Sequence, residues 1–128
     1  MIYLDSSAVL ARLFGEGRAP PESIWVDFLI SSDLLEYEIW NRIHARHFAA
    51  TVGEAAMLLI SRIRLVELTP LVLARALEPF PIAVRTLDAL HLATIEFLRR
   101  TGEAVELASY DNRLVAAAQA LGIPLAAL

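Results

Sequence analysis

Acidic residues just past short apolar runs are the part of this sequence that could do chemistry. Ile2-Tyr3-Leu4 leads into Asp5-Ser6-Ser7-Ala8, and Glu106-Leu107-Ala108-Ser109-Tyr110 leads into Asp111. Thr86-Leu87-Asp88-Ala89-Leu90 puts another acid at the head of an expected helix. Three of the five Asp residues therefore stand where a helix starts, two of them after a short strand. In an open parallel sheet the carboxyl ends of the strands share one edge, and ligands bind in the crevice there. Carboxylates delivered to that edge from distant parts of the chain would form an oxygen-rich site for a hard divalent cation. Each acid also has a plainer role. Asp is a favoured N-cap, which suits Asp5 and Asp111, and a negative charge in a first turn complements the helix dipole, which suits Asp88. Capping explains any one of them, but independent caps have no reason to follow strands ending on a common edge.

The elements that must position these acids follow from periodicity and breakers. Ile2 to Leu4 reads as a buried strand, and Ser6 to Phe14 as a helix stopped by Gly15. Gly15 to Pro21 reads as a loop, with Pro21 in the first turn of a short helix carrying Ile24, Trp25, Phe28 and Leu29. Leu29 to Ser32 is a weak strand candidate. Helical spacing runs from Leu34 to about Ala50 and from Val52 to Arg64, with Thr51-Val52-Gly53 as the expected break. Leu65 to Thr69 reads as a strand, followed by a short helix from Pro70 that ends before Pro79. Thr86 to Arg100 is a helix apolar on most sides, hence buried, and is stopped by Gly102. Glu106 to Ser109 is a strand, Asn112 to Leu121 a helix closed by Gly122, and Ile123 to Ala126 a last short strand. Strands alternating with helices predict an α/β domain with a parallel sheet and right-handed crossovers.

Composition narrows the function classes. The 128 residues suffice for one domain with a core, and 57% hydrophobic against 20% charged residues argues for a folded chain. No cysteine is present, so thiolate metal sites and cysteine nucleophiles are excluded. No basic segment precedes the first apolar run, and apolar stretches are broken before the length of a membrane span, so a soluble cytoplasmic protein is expected. The net charge of -4 weighs against nucleic-acid binding. All eleven basic residues are Arg, which suits phosphate recognition, although a bias toward GC-rich codons is the plainer account. The absence of Lys removes the Walker A loop and weakens aspartyl-phosphate readings that use a Lys.

A fourth acid is ambiguous on spacing. Glu36 and Glu38 lie two apart, so on a helix they point to different sides. Glu36 falls nearer the Leu35, Ile39 and Ile43 stripe, while Glu38 shares its side with Arg42 and could simply pair with it.

Four segments together resemble the acidic motifs of PIN domains, and most closely those of VapC-type toxins from toxin–antitoxin pairs. They are Asp5-Ser6-Ser7-Ala8, Tyr37-Glu38-Ile39-Trp40-Asn41, Thr86 through Thr94 and Tyr110-Asp111-Asn112-Arg113-Leu114. The resemblance covers essentially the whole chain, with the segments around Asp88 and Asp111 the most specific. It implies a single three-layer α/β/α domain over residues 1–128 with a short, mostly parallel sheet. It implies Asp5, Glu38, Asp88 and Asp111 as catalytic, metal-holding acids, selecting Glu38 over Glu36, with Ser6 and Ser109 as polar neighbours. The implied activity is a Mg²⁺- or Mn²⁺-dependent endoribonuclease that cuts structured RNA, silenced by a VapB-like antitoxin and homodimeric. A housekeeping PIN nuclease and a catalytically silent PIN-like binding module are the alternatives; having all four acids filled favours an enzyme.

Other residues have competing roles. Arg12, Arg85 and Arg113 lie near the acidic motifs and are candidates for phosphate contacts, with salt bridges to those acids as the competing role. His91 could touch a metal or phosphate, but a hydrogen-bonded histidine in a packed helix is the commoner situation. His44 and His47 read as surface residues. Trp25, Tyr37 and Trp40 could stack bases or serve packing, and Trp25, Phe28 and Trp40 are the candidate landing site for an antitoxin helix.

Overall fold

The computed structural model describes residues 1–15 and 17–128. Of the loop expected at Gly15 to Pro21, Glu16 lies outside the described residues. Four strands, β1 (Ile2–Leu4), β2 (Leu29–Ser32), β3 (Arg64–Val66) and β4 (Glu106–Ala108), form a sheet in the order β3-β2-β1-β4, parallel throughout. The helices are α1 (Ser6–Phe14), α2 (Glu22–Trp25), α3 (Leu34–Ala45), α4 (Ala49–Ser61), α5 (Pro70–Ala76), α6 (Thr86–Arg100) and α7 (Asn112–Ala120).

Alternation along β1 builds two cores, since successive side chains of a strand face opposite sides of the sheet. Ile2 and Leu4 join Ala8, Leu35, Ile39, Ile43 and Ile60 in one core, so α1, α3 and α4 cover that face. Tyr3 joins Ile30, Leu92, Ile95 and Leu114 in the other, covered by α6 and α7. The result is the three-layer arrangement expected from the sequence. The chain proceeds outward from β1 to β2 and β3, then returns to place β4 on the opposite side of β1. The direction of progression therefore reverses beside β1. A crevice opens at such a point between strand ends, and Asp5 and Ser109 follow the two strands that flank it.

The breakers act as read at Gly15, Gly102 and Gly122, all with positive φ past a helix end. The break between α3 and α4 does not. It falls at Arg46-His47-Phe48, where His47 adopts φ 56°, and Gly53 lies inside α4. Gly53 lies under Trp40, where a Cβ would sit 3.5 Å from the ring. That is ordinary contact, and glycine costs a helix interior about 1 kcal/mol relative to alanine. Gly53→Ala is therefore expected to raise stability by about 0.5–1 kcal/mol in a thermal melt; a lower melting temperature would show that Trp40 cannot accommodate the methyl.

Three smaller differences have local causes. Pro21 occupies the N-cap position of α2 rather than its first turn, and α2 ends at Trp25, leaving Phe28 to the exposed approach to β2. The strand expected at Leu65 to Thr69 starts one residue earlier and stops at Val66, because Thr69 caps α5 by accepting the Val72 N–H. The strand expected at Ile123 to Ala126 is reduced to a single parallel bridge between Leu107 and Leu125.

Candidate metal centre and adjoining groove

Asp5 is delivered by the end of β1, and its carboxylate Oδ2 gathers three donors. The Ser7 N–H (3.3 Å) and Ser7 hydroxyl (2.6 Å) come from α1, and the Ser109 hydroxyl (2.9 Å) comes from beyond β4. The two hydroxyls also accept backbone N–H groups, Ser7 that of Tyr110 at 2.9 Å and Ser109 that of Asp111 at 3.0 Å. Both chain ends are thus laced together around one carboxylate oxygen. Ser7 was not singled out in the sequence, although the position two residues past an Asp cap is where the capped N–H belongs.

Asp111 caps α7, with Oδ1 accepting the N–H groups of Arg113 (3.0 Å) and Leu114 (3.4 Å). Asp88 lies in the first turn of α6, and its Oδ2 accepts the Arg85 N–H at 3.3 Å. The plain role of all three acids is therefore real, but each fulfils it with one oxygen. The second oxygens of Asp5, Asp88 and Asp111 take no hydrogen bond among the described residues. Capping and metal binding are compatible here.

Asp88 senses the other two acids. Burial raises the Asp88 carboxyl above its ordinary value; the Arg85 N–H opposes this, the charges of Asp111 and Asp5 add to the rise, and Arg113 lowers it again. A carboxyl raised by like charges is one that a bound cation would relieve.

Glu38 reaches the same place from α3. Its Oε1 lies 2.5 Å from His91 Nε2, and its Oε2 accepts the Ser6 hydroxyl at 3.4 Å. Glu36 is exposed, and Arg42 is not the partner of Glu38. Ligand atoms of Asp5, Glu38 and His91 all lie within 4.8 Å of one another. His91 is 1% exposed and Nδ1 lies 2.7 Å from the Tyr3 hydroxyl, the hydrogen-bonded histidine of a packed helix. Burial by itself would lower its imidazole, but the hydrogen bond and charge of Glu38, with Asp5 and Asp88 behind, raise it above the ordinary value.

Beside the acids runs a cavity of about 630 Å³ lined by Ser7, Arg18, Arg42, Arg46, Tyr110 and Asp111 among others. The Arg18 guanidinium lies 4.7 Å from the centre of the Tyr110 ring. The arginines named from the sequence sit differently. Arg12 pairs with Glu22 at 2.8 Å and covers the Trp25 ring, while Arg85 and Arg113 are exposed at the starts of α6 and α7. Arg42 and Arg46 follow Glu38 at four-residue steps, so the helix stripe that delivers the acid also delivers them. That spacing was the available signal.

The family model described as PIN domain matches residues 2–120. This chain belongs to the PIN domain family. Among curated proteins, the PIN domain here is 32% identical to "Ribonuclease VapC35" of Mycobacterium tuberculosis (strain ATCC 25618 / H37Rv), over 99% of this chain and 96% of that protein. It is 29% identical to "Ribonuclease VapC47" of Mycobacterium tuberculosis (strain CDC 1551 / Oshkosh), over 95% of this chain and 93% of that protein. The landing site expected at Trp25, Phe28 and Trp40 does not exist as one apolar surface on this PIN domain. Trp25 is 2% exposed within the core, and Trp40 is half-buried against Gly53 and stacked on His44. Tyr37 is exposed, as are His44 and His47. No helix among the described residues is long and apolar enough to cross a membrane.

Proposed function

We propose that this PIN domain, a single nuclease domain over residues 1–128, is a Mg²⁺- or Mn²⁺-dependent endoribonuclease acting as the toxin of a toxin–antitoxin pair. One observation carries the reading. Asp5, Asp88 and Asp111 each hold a helix start with one carboxylate oxygen and keep the other without a hydrogen bond among the described residues, while Glu38 arrives from α3 beside Asp5. A helix cap needs only one oxygen, and acids serving as caps alone have no reason to gather from separate elements. The hard oxygen donors fit Mg²⁺ or Mn²⁺. Asp5 and Asp88 would ligate the ion directly, with Asp111 and Glu38 holding its waters or a second ion. Such an ion, when bound, supplies an acidified water and draws charge from the phosphoryl oxygens, so phosphodiester hydrolysis needs no Lys or His base.

The remaining chemistry belongs to the chain. Ser7 and Ser109 fix the Asp5 carboxylate from one side, which leaves its other oxygen facing the site. Arg18, Arg42 and Arg46 put positive charge along the cavity that opens beside Asp111, a path for RNA phosphates in a chain whose net charge is negative. Tyr110 offers a ring on which an unpaired base can stack. Arg12 is already engaged by Glu22 and Trp25, so Arg85 and Arg113 remain the better of the three originally named for phosphate contact. The word ribonuclease in the names of the VapC relatives supports an RNA substrate; a cognate VapB-like antitoxin, a homodimer and a cytoplasmic location belong to the same proposal. Exposed Leu73, Leu77 and Ile82 line a mainly apolar hollow, surface of the kind protein partners cover.

Sequencing the 5′ ends of cellular RNA after induction tests the reading. The wild type and Glu36→Gln are expected to produce the same new ends, whereas Asp5→Asn and Glu38→Gln produce none. Identical ends from Asp5→Asn would remove the acids from the chemistry. Activity lost in Glu36→Gln but kept in Glu38→Gln would mean that α3 presents a different acid.

A further inference from the structure

We infer that Tyr3 and His91 form a buried relay of hydrogen bonds that holds Glu38 in the orientation the cation site requires, which makes both of them positioning residues for the reaction. The inference rests on the metal-site reading above. The relay joins three elements from all three layers: His91 on α6, Tyr3 on the central strand β1, and Glu38 on α3, whose neighbours pack in the opposite core. Tyr3 is 0% and His91 1% exposed, so neither ring has room to turn. The two rings meet edge to face with centroids 5.8 Å apart, which fixes the imidazole plane as well as its nitrogens.

The order of the relay follows from what each group can do. An ionised Glu38 only accepts, so the proton in the 2.5 Å contact belongs to His91 Nε2. Nδ1 then faces the Tyr3 hydroxyl at 2.7 Å. A glutamate side chain has three rotatable bonds, and a single short, charge-assisted hydrogen bond to an immobile donor removes most of that freedom. Its second oxygen is left facing Ser6 and the acid cluster.

Direct ligation by His91 would use a nitrogen that is already committed. The ligand atoms of Asp5, Glu38 and His91 are near enough to share an ion, but a metal on Nε2 would have to displace the bond to Glu38. The oxygen-rich surroundings give no reason for that exchange. Outer partners of metal ligands typically matter by about 10–100-fold in metal affinity.

Manganese titration of the purified protein followed by electron paramagnetic resonance separates these roles. Wild-type protein is expected to bind Mn²⁺ without a directly coordinated nitrogen in its electron spin-echo modulation. His91→Leu should weaken Mn²⁺ binding by about 10–100-fold. His91→Gln, whose amide can still donate to Glu38, should recover most of that loss. Tyr3→Phe, nearly isosteric, should fall between them while remaining folded by circular dichroism. A Mn²⁺ affinity unchanged in both His91→Leu and Tyr3→Phe would overturn the relay. So would a nitrogen bound directly to Mn²⁺ in the wild type. A wild type that binds no Mn²⁺ would instead overturn the metal site itself, and the relay with it.

Discussion

Asp5→Asn is expected to lose RNA cleavage by about a hundredfold or more while the protein stays folded. The two halves of this expectation come from the two oxygens of one carboxylate. Oδ2 receives the Ser7 N–H, the Ser7 hydroxyl and the Ser109 hydroxyl, and an asparagine oxygen can take its place, since Asn caps helices as well as Asp. What the substitution removes is the charge and the second ligand oxygen. Asp88→Asn should behave alike, since its Oδ2 bond to the Arg85 N–H also survives in an amide. Steady-state cleavage of a defined RNA with excess Mg²⁺, with and without EDTA, measures this. Near wild-type rates in both variants would leave the acids as caps only.

Added Mg²⁺ or Mn²⁺ is expected to stabilise the wild type strongly. Asp88 has its carboxyl raised by burial first, and then by Asp111 and Asp5 against the help of Arg85 and Arg113. A carboxyl raised in the folded state holds its proton more tightly than in the unfolded chain, so its contribution falls as pH rises through the folded value, and near neutrality the ionised group costs stability. A cation between the acids relieves that cost. At a hundredfold excess over Kd the linkage is worth about 2.7 kcal/mol, or roughly 10 °C for a domain of this size. Metal-free Asp88→Asn should melt at or above the wild type and show a reduced metal response. A metal-free Asp88→Asn protein that melts well below the wild type would mean that the charge is held for the helix and not for an ion.

Much of this arrangement was legible because it is local. Short apolar strands followed by a capping acid announce themselves at Asp5 and Asp111, and the bounds of α6 coincide with the periodic run from Thr86 to Arg100. What was misread depended on contacts distant in sequence. Gly53 looked like a break, yet it lies inside α4 beneath Trp40; the true turn is made by His47 with a positive φ and no Gly or Pro to mark it. The last strand failed to form beyond one bridge because only Leu125 pairs with β4. The cavity beside Asp111 was equally hidden, since it collects Arg18, Arg42 and Arg46 from a loop and a helix stripe. The choice of Glu38 over Glu36 could not come from a helical wheel, because it turns on His91, more than fifty positions away. Family resemblance selected Glu38, and the structure puts Glu38 beside His91 and Asp5 while Glu36 is exposed.

The central claim is that acids from four separate elements form one cation site, and a crystal of the protein grown with Mn²⁺ tests it most directly through anomalous scattering. The account predicts a Mn²⁺ peak at the carboxyl edge of β1, within direct bonding distance (about 2.2 Å) of the free oxygen of Asp5. Asp88, Glu38 and Asp111 should bind the same ion directly or through one water. A well-ordered structure with no peak there, or with Mn²⁺ only at surface acids remote from Asp5, would contradict it.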